Sequence, residues 1–397
     1  MTMRVLATLA GLLLLCGVLG CSGEPDEAEP AGQGPAPAAS WPMFHGRQDM
    51  TGVAVGRLPS KLVLRWKFQA ERPVRSSPVV ELAPDDATGR TGRVFVGCND
   101  GNVYALDLAD GRKLWAFQTA DAVEAAPLVL GGAVYAGSVD GFVYALDASS
   151  GALRWKFKTE DKVLGGANWI PSPQGDRTWI IIGSYDMKFY CLDAATGKEV
   201  WSVETGYYVN DTAAVADGKV LFGGCDGQVR VVSPADGREL STLNVGGYVA
   251  GSPILLGGRI YVANYEEKLF CFDLATGNTV WEYPGEDYGF YSSPAASGDR
   301  LVIGGLDHKV HCVSIETGKA LWTFATRRQV ESSPAISGDK VVIGSNDGRL
   351  YLLRLADGKL LWSYEVGRDI TSSPAVAGGW VVVGGEDGGV YAFGARR

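Results

Sequence analysis

One sequence pattern recurs roughly every 40 residues from about residue 76 onward, and it constrains the fold more than any other feature. Three clear copies read RVFVGCNDGNVYALDLADGRKLWAFQT, AVYAGSVDGFVYALDASSGALRWKFKT and KVVIGSNDGRLYLLRLADGKLLWSYEV. Further copies begin near Ala167, Thr212, Gly251, Ser292 and Ser372. A repeat of this length predicts one closed architecture rather than several unrelated domains.

Each copy contains four short β-rich runs separated by turn residues. A glycine or Gly-Asp pair, then Asp-Gly, then Asp-, Thr- or Ser-Gly divide the runs, and such pairs are strong hairpin signals. The third run, for example Val103 to Leu106, is apolar without alternation, so both of its faces must be buried. Sheets stacked around an axis meet this requirement and protect their edges, which predicts a β-propeller.

The two ends of the repeat region complement each other. The last copy ends at Ala392-Phe393, before its fourth strand, whereas Leu64 to Phe68 repeats Leu153 to Phe157 residue for residue. We therefore expect the N-terminal run to complete the last sheet and close the ring. The predicted fold is all-β: an eight-bladed β-propeller of four-stranded antiparallel blades, spanning residues 41–397.

Glycine and tryptophan occupy fixed places in the repeat. The second run ends in glycine in seven copies, at Gly97, Gly137, Gly183, Gly223, Gly304, Gly344 and Gly384, and in Ala263 in the other. We expect the tryptophan of a fourth run to pack against each missing side chain. These structural tryptophans are Trp66, Trp115, Trp155, Trp201, Trp281, Trp322 and Trp362. Ser241 takes the place in the fourth copy and predicts a looser junction there.

Residues 105–115 (ALDLADGRKLW) and 191–201 (CLDAATGKEVW) resemble the AxDxxTGxxxW tryptophan-docking motif of the pyrroloquinoline-quinone (PQQ) type of propeller. The resemblance covers about residues 41–394 and includes the segment WPMFHG at 41–46, which is similar to one that often precedes such propellers. It implies one of two kinds of protein. One is the quinoprotein dehydrogenases, with PQQ beside Ca²⁺ on the axis, and the other is noncatalytic, including the propeller lipoprotein of outer-membrane protein assembly.

The chain is similar to the noncatalytic branch. It lacks the vicinal Cys-Cys of many PQQ dehydrogenases and has no CxxCH for haem, and it is too short for their long insertions. The resemblance thus implies a protein-interaction scaffold without catalytic residues or a cofactor, monomeric as a fold unit. The alternatives are a PQQ- and Ca²⁺-binding oxidoreductase or sensor, and a carbohydrate-binding propeller.

The N-terminus predicts export. Residues 1–20 combine a basic start at Arg4, an apolar run and small residues, as a signal peptide does. Residues 18–21 (VLGC) resemble a lipobox, which implies acylation of Cys21, and Ser22 implies delivery to the periplasmic side of the outer membrane. Ordinary cleavage, leaving a soluble protein, is the alternative. Residues 21–40 are rich in Pro, Ala, Gly and Glu and predict a disordered tether.

Ligands of closed propellers usually bind at the central channel, beside the loop that leads into each first strand. The residues aligned there form a candidate ligand-binding set, whose alternative role is that of solvated channel residues: Arg75, Glu124, Asn168, Asp211, Tyr248, Tyr291, Glu331 and Thr371. Glu124, Asp211 and Glu331 would have to converge to hold Ca²⁺. Loops 206–211 and 285–291 are rich in aromatic residues and indicate protein or peptide contact.

Other features exclude or weaken further classes of site. The net charge of -9 does not provide the positive field that nucleic-acid binding needs. His308 and His311 have a metal-like spacing, but the repeat places His311 in a strand at the position of Tyr104 and His308 in the preceding turn, so no metal site is predicted. The isolated cysteines occupy small packing positions and predict free thiols.

Overall fold

Every repeat forms one twisted antiparallel sheet, and the computed structural model describes residues 40–84, 89–266, 268–285 and 288–396. Two N-terminal strands, β1 (Val53–Ala54) and β2 (Val63–Gln69), precede the blades. Each blade has strands A to D from the axis outward. Segments 1–20 and 21–39, with Cys21, lie outside the described residues.

The strand bounds follow the repeat. The A strands are β3 (Val79–Leu82), β7 (Leu128–Leu130), β11 (Asn168–Pro171), β15 (Ala214–Ala216), β19 (Ile254–Leu256), β23 (Ala295–Ser297), β27 (Ala335–Ser337) and β31 (Ala375–Ala377). The B strands are β4 (Gly92–Gly97), β8 (Ala133–Gly137), β12 (Thr178–Gly183), β16 (Lys219–Gly223), β20 (Arg259–Ala263), β24 (Arg300–Gly304), β28 (Lys340–Gly344) and β32 (Trp380–Gly384).

The C strands are β5 (Asn102–Asp107), β9 (Phe142–Asp147), β13 (Lys188–Asp193), β17 (Gln228–Val232), β21 (Lys268–Asp273), β25 (Lys309–Ser314), β29 (Arg349–Arg354) and β33 (Gly389–Gly394). The D strands of blades 1 to 7 are β6 (Lys113–Gln118), β10 (Leu153–Lys158), β14 (Glu199–Glu204), β18 (Glu239–Asn244), β22 (Thr279–Pro284), β26 (Ala320–Ala325) and β30 (Leu360–Glu365). Eight sheets confirm the eight-bladed propeller.

The predicted closure of the ring is confirmed. β2 pairs antiparallel with β33 and supplies strand D of blade 8, with Trp66 opposite Ala392 and Gln69 opposite Gly389. The first blade strand of the sequence thus meets the last. No helix in the described part of the chain has the length and apolarity that crossing a bilayer requires.

The glycines that end the B strands do not receive a tryptophan, so this expectation is wrong. A Cβ on Gly97 would lie 2.5 Å from Val123 Cγ1, and one on Gly137 would lie 2.4 Å from Val163 Cγ1. In each case the neighbour is an aliphatic residue of the loop that leads to the A strand of the next blade. That chain crosses the end of strand B, whereas the tryptophan lies on the outermost strand and reaches only the outer turn of the next blade.

The tryptophans cover the C–D turns of the next blade. Trp115 Nε1 donates to Ala148 O at 3.1 Å, and its ring lies where a side chain on Gly151 would project. Trp66, Trp155, Trp201, Trp281 and Trp322 donate in the same way to Leu108, Ala194, Pro234, Ile315 and Leu355. Next to Ser241, by contrast, the nearest atom to a Cβ on Gly277 would be Leu243 Cδ2 at 3.4 Å.

Trp362 is placed differently because of ring closure. The next blade joins strand C from the C-terminus to strand D from the N-terminus, so it has no C–D turn. The ring of Trp362 instead packs edge-on against Phe393, with centroids 5.4 Å apart.

An N-terminal segment, residues 41–54, runs around the inside of the ring, and we call it the belt. Its carbonyl groups accept hydrogen bonds from the second residue of successive A strands, which the sequence pattern did not predict. Trp41 bridges Val80, and Pro42, Gln48, Asp49, Thr51 and Gly52 accept from Val129, Val215, Leu255, Ala296 and Ile336. The belt ends in β1, which pairs parallel with β27. The belt therefore contacts blades 1 to 7 from inside the ring. In blade 3 the contact is made by the side chain of Asn168, which donates to Gln48 O.

Within the described ranges, two B–C turns carry a strained backbone that glycine relieves in other blades. His308 has φ 68° and Met187 has φ 67°, at the position where Gly101 has φ 85°. Replacing His308 by glycine is expected to raise the free energy of unfolding by about 1 kcal/mol, because a left-handed conformation costs a residue with a Cβ about that much. Urea unfolding would measure the change. His308→Ala keeps the Cβ and is the matched control, so equal stabilities of the two variants would contradict the explanation.

Candidate functional site

The candidate site is the wide end of the central channel, which we call the mouth. The D–A loops and the B–C turns both lie on this face and are hydrogen-bonded to each other, as in Asn99 N to Pro73 O at 3.0 Å and Asn346 N to Gln329 O at 2.9 Å. The D–A loops of all eight blades line the channel, and the B–C turns of blades 7 and 8 add Asn346 and Glu386. The cavity between them has a volume of about 720 Å³.

The structure places five of the eight sequence-predicted channel residues in one ring. The D–A position of blades 1 to 8 is held by Arg75, Glu124, Leu164, Asn210, Ala250, Tyr291, Glu331 and Thr371. The prediction was wrong about this register in blades 3, 4 and 5, where it named Asn168, Asp211 and Tyr248. The reliable signal is the buried aliphatic or aromatic residue just before the position, such as Val163, Val209 or Val249. It packs on the preceding B strand and so fixes the register.

The three misplaced residues have other surroundings. Asn168 is buried at the start of β11, where its Nδ2 donates to Ala213 O at 2.8 Å and to Gln48 O at 3.0 Å. It therefore ties the belt to blades 3 and 4. Tyr248 stands on the rim of the mouth, 53% exposed.

Asp211 is buried beside a narrow inner part of the channel of about 140 Å³. Its Oδ2 accepts from Gly223 N at 2.6 Å, as Ser332 Oγ accepts from Gly344 N at 3.1 Å in blade 7. Its Oδ1 is buried without a partner among the described residues. Burial raises the pKa of this carboxyl to about 7, so it is a titratable group in a position where most blades have serine, alanine or glycine.

Asp211 should make stability depend on pH. Its pKa is about 7 when folded and about 4 when unfolded, so the folded state retains a proton that the unfolded state releases. Stability is then full below about pH 4 and falls by about 1.4 kcal/mol per pH unit as the pH rises to about 7. Asp211→Ser should remove this slope. Urea unfolding of both proteins from about pH 5 to about pH 8 measures it, and parallel stability profiles would refute the assignment.

The polar half of the mouth belongs to blades 7, 8, 1 and 2. Arg75 links two carboxylates, since its Nε donates to Glu386 at 2.8 Å and its Nη1 to Glu124 at 3.3 Å. Hydrogen bonding to Glu386 raises the pKa of this guanidinium further. Asn99 Nδ2 also donates to Glu124, at 2.6 Å, and Thr371 donates to Glu386 at 3.3 Å. Arg75 therefore neutralises part of the acidic charge.

The aromatic half belongs to blades 3 to 6. Tyr185 stacks on Tyr208 with ring centroids 4.5 Å apart, and Tyr207 lies 4.2 Å from Tyr208. Exposed tyrosines continue this surface around the rim: Tyr207, Tyr248, Tyr265, Tyr288 and Tyr291, all between 40% and 58% exposed. Solvation does not require five exposed rings on one face, and tyrosine is enriched in protein interfaces.

The belt contributes a side chain to the inner part of the channel. Phe44 lines the narrow inner cavity together with Ser77, Ser293, Ser333 and Ser373. Its ring stacks on that of His45, whose Nδ1 donates to Met50 O at 3.0 Å. Burial lowers the pKa of His45 to about 4, so this imidazole is neutral at physiological pH. The belt thus forms part of the wall of the inner cavity.

The carboxylates considered for Ca²⁺ line one cavity, and two of the three are held by other groups. Glu124, Asp211 and Glu331 line the same cavity, yet no cluster of three or more His, Cys, Asp or Glu suited to a metal occurs among the residues that the structure describes. Glu124 is held by Arg75 and Asn99, and Asp211 by a backbone amide.

The histidine and cysteine positions are structural. His311 Nε2 lies 3.0 Å from Asp307, as Tyr104 donates to Asp100 in blade 1, and its Nδ1 lies 2.9 Å from Tyr283 Oη. The five described cysteines, Cys98, Cys191, Cys225, Cys271 and Cys312, are free thiols. Burial raises their pKa, so they are poor nucleophiles.

Solved structures with the same fold include several propellers. BamB from Moraxella catarrhalis is 20% identical, with a TM-score of 0.67 over 85% of this chain and 98% of that one. The quinohemoprotein alcohol dehydrogenase ADHIIG from Pseudomonas putida HK5 is 14% identical, with a TM-score of 0.72 over 91% and 81%. The computationally designed Ika8 protein is 18% identical, with a TM-score of 0.71 over 84% and 99%. At these identities the likeness concerns the fold alone.

Two curated proteins are similar in sequence to part of this chain. The outer membrane protein assembly factor BamB of Nitrosomonas eutropha is 29% identical over 111 residues, 28% of this chain and 27% of that protein. The β-alanine-activating enzyme of Danio rerio is 30% identical over 104 residues, 24% of this chain and 9% of that protein. The matches thus span about a quarter or less of these relatives.

A family model described as outer membrane protein assembly factor BamB matches residues 64–167, 140–284 and 225–397, which together include every blade. The chain therefore belongs to the BamB-type family of PQQ-like repeat β-propellers.

Proposed function

We propose that this protein is a noncatalytic scaffold, anchored by lipid at Cys21 on the periplasmic side of the outer membrane, that binds protein partners during outer-membrane protein assembly. The observation that carries the proposal is the surface of exposed tyrosines on blades 4 to 6 of the mouth. Membership of the BamB-type family supports the assembly role. In this proposal the protein works without PQQ, and the hydrogen bonds of Glu124 to Arg75 and Asn99 have a structural role.

Photo-crosslinking in cells tests the proposal with the full-length protein. A photoreactive phenylalanine analogue would replace Tyr248 or Tyr288 on the mouth, and Leu153 or Leu360 as exposed controls on outer strands. We expect crosslinks from the mouth positions to a component of the outer-membrane assembly complex, and none from the controls. Equal crosslinking at all four positions, or none, would contradict the proposal.

Cofactor titration tests the enzymatic alternative on the same protein. We expect no stoichiometric complex with PQQ and Ca²⁺ and no dye-linked oxidation of alcohols or sugars. A tight complex that supports such oxidation would replace the scaffold proposal by a quinoprotein function.

A further inference from the structure

The mouth cavity contains a carboxylate that is not neutralised. Glu331 Oε1 accepts from Asn346 Nδ2 at 2.7 Å, and no ion pair to Glu331 occurs within the described ranges. The other acidic groups of the cavity do have cationic partners: Arg75 contacts Glu124 and Glu386, and Arg328 contacts Asp369 at 2.8 Å. Among the described acidic residues that line this cavity, Glu331 therefore differs from the others in having no ion pair.

Asn346 supplies a second, independent acceptor. The residue is 5% exposed and lines the cavity, and its buried Oδ1 has no hydrogen-bond partner in the part of the chain that the structure describes. A buried acceptor left unpaired costs free energy, so native sites rarely retain one without a reason. A carboxylate and an amide oxygen at one place form a site that lacks only a donor, and a cationic donor is favoured by the charge.

Tyr291 lies on the aromatic side of the same cavity as Glu331 and is 44% exposed, and partial burial together with the negative charge of Glu331 raises the pKa of its phenol. An aromatic face near a carboxylate is the environment in which a guanidinium group binds well, because that group is planar, stacks on rings and donates several hydrogen bonds. Tyr291 also belongs to the exposed tyrosine surface, so the cavity and the proposed interface are continuous.

We propose that the mouth cavity binds an arginine side chain of a partner's peptide segment, with the guanidinium group held by Glu331, Asn346 and the ring of Tyr291. This inference rests on the proposed scaffold function and specifies what the mouth recognises. The volume of about 720 Å³ exceeds the needs of one small cation and accommodates a side chain with its flanking residues. The flanking apolar residues contact the aromatic half of the mouth.

Two matched peptides test the proposal. The first is a fluorescent, blocked pentapeptide with arginine between two leucines, and the second has citrulline, which keeps the shape and removes the charge. Fluorescence anisotropy with the full chain should show about tenfold or greater preference for the arginine peptide, as expected for a charge-assisted hydrogen bond. Glu331→Gln should abolish the preference, whereas Asp110→Asn, which removes a charge from an exposed C–D turn on the opposite face, should leave it unchanged.

Substitution of Arg368 should have the opposite effect on binding of the arginine peptide. It is exposed and lines the cavity, where its charge opposes a cationic ligand. Arg368→Gln should therefore strengthen binding of the arginine peptide and leave citrulline peptide binding unchanged.

The outcomes separate this inference from the scaffold proposal. Equal binding of the two peptides, or an arginine preference that persists in Glu331→Gln, would overturn the arginine site even where crosslinking from Tyr248 succeeds. A preference for the arginine peptide without crosslinks from the mouth would support the arginine site and contradict the proposed scaffold function. Methylguanidinium binding as tightly as the peptide would overturn the choice of a peptide ligand in favour of a small cation.

Discussion

Replacing Trp66 with alanine is expected to lower the free energy of unfolding by about 3–5 kcal/mol, the usual cost of removing a buried tryptophan. The side chain is 7% exposed, its Nε1 donates to Leu108 O at 2.8 Å, and its ring covers Gly111 of blade 1. It also lies in β2, the strand that closes the ring. The loss therefore weakens both the junction of blades 8 and 1 and the attachment of the N-terminal strand.

Trp362→Ala is the matched control for this prediction. Trp362 occupies the same position in strand D of blade 7, but it is less buried and covers no C–D turn. Its removal should cost at least about 1 kcal/mol less, the value of one hydrogen bond. Urea unfolding of the two variants gives the comparison, and equal losses would show that the turn contact of Trp66 has no special weight.

Replacing Trp41 with alanine is the second large effect, also about 3–5 kcal/mol. Trp41 is 2% exposed, forms a bridge with Val80, and places its ring 2.5 Å from where a Cβ on Gly46 would lie. The indole thus fixes the first turn of the belt. Without it, the belt should detach from the A strands in sequence.

Hydrogen exchange identifies belt release separately from global unfolding. The amides whose hydrogen bonds go to belt carbonyl groups should lose protection together in Trp41→Ala: Val129, Val215, Leu255, Ala296 and Ile336. Val55→Ala, at a 62% exposed position just after the belt, should change neither stability nor exchange. Protection that persists at these amides while stability falls would contradict the role given to the belt.

The family and the arginine site place different demands on the chain. Family membership depends on residues that stack the blades, such as Trp115 over Gly151, and these recur in most repeats. The proposed arginine site depends on positions that differ between repeats. For example, the D–A position is Glu331 in blade 7 and Leu164 in blade 3. The repeated residues therefore allow the fold to be predicted from the sequence, whereas ligand recognition depends on the residues that are not repeated.

The sequence by itself determined the blades, their number and the closure of the ring. These features come from turn residues and from a hydrophobic pattern that recur in each repeat. The fold can therefore be predicted even where one copy of the pattern is unclear. The match of residues 64–68 to residues 153–157 was enough to place β2 beside β33, because a strand missing at one end must be supplied by the other.

Only the tertiary structure decided what faces the channel. The belt makes its contacts through backbone carbonyl groups, which leave no side-chain pattern to read. The D–A positions of blades 3 to 5 depend on how Val163, Val209 and Val249 pack against the preceding blade, and a shift of one residue separates buried Asp211 from Asn210 at the cavity wall. Likewise, Arg75 contacts Glu124 and Glu386 but not Glu331, and these side chains, distant in sequence, come together only when the ring closes.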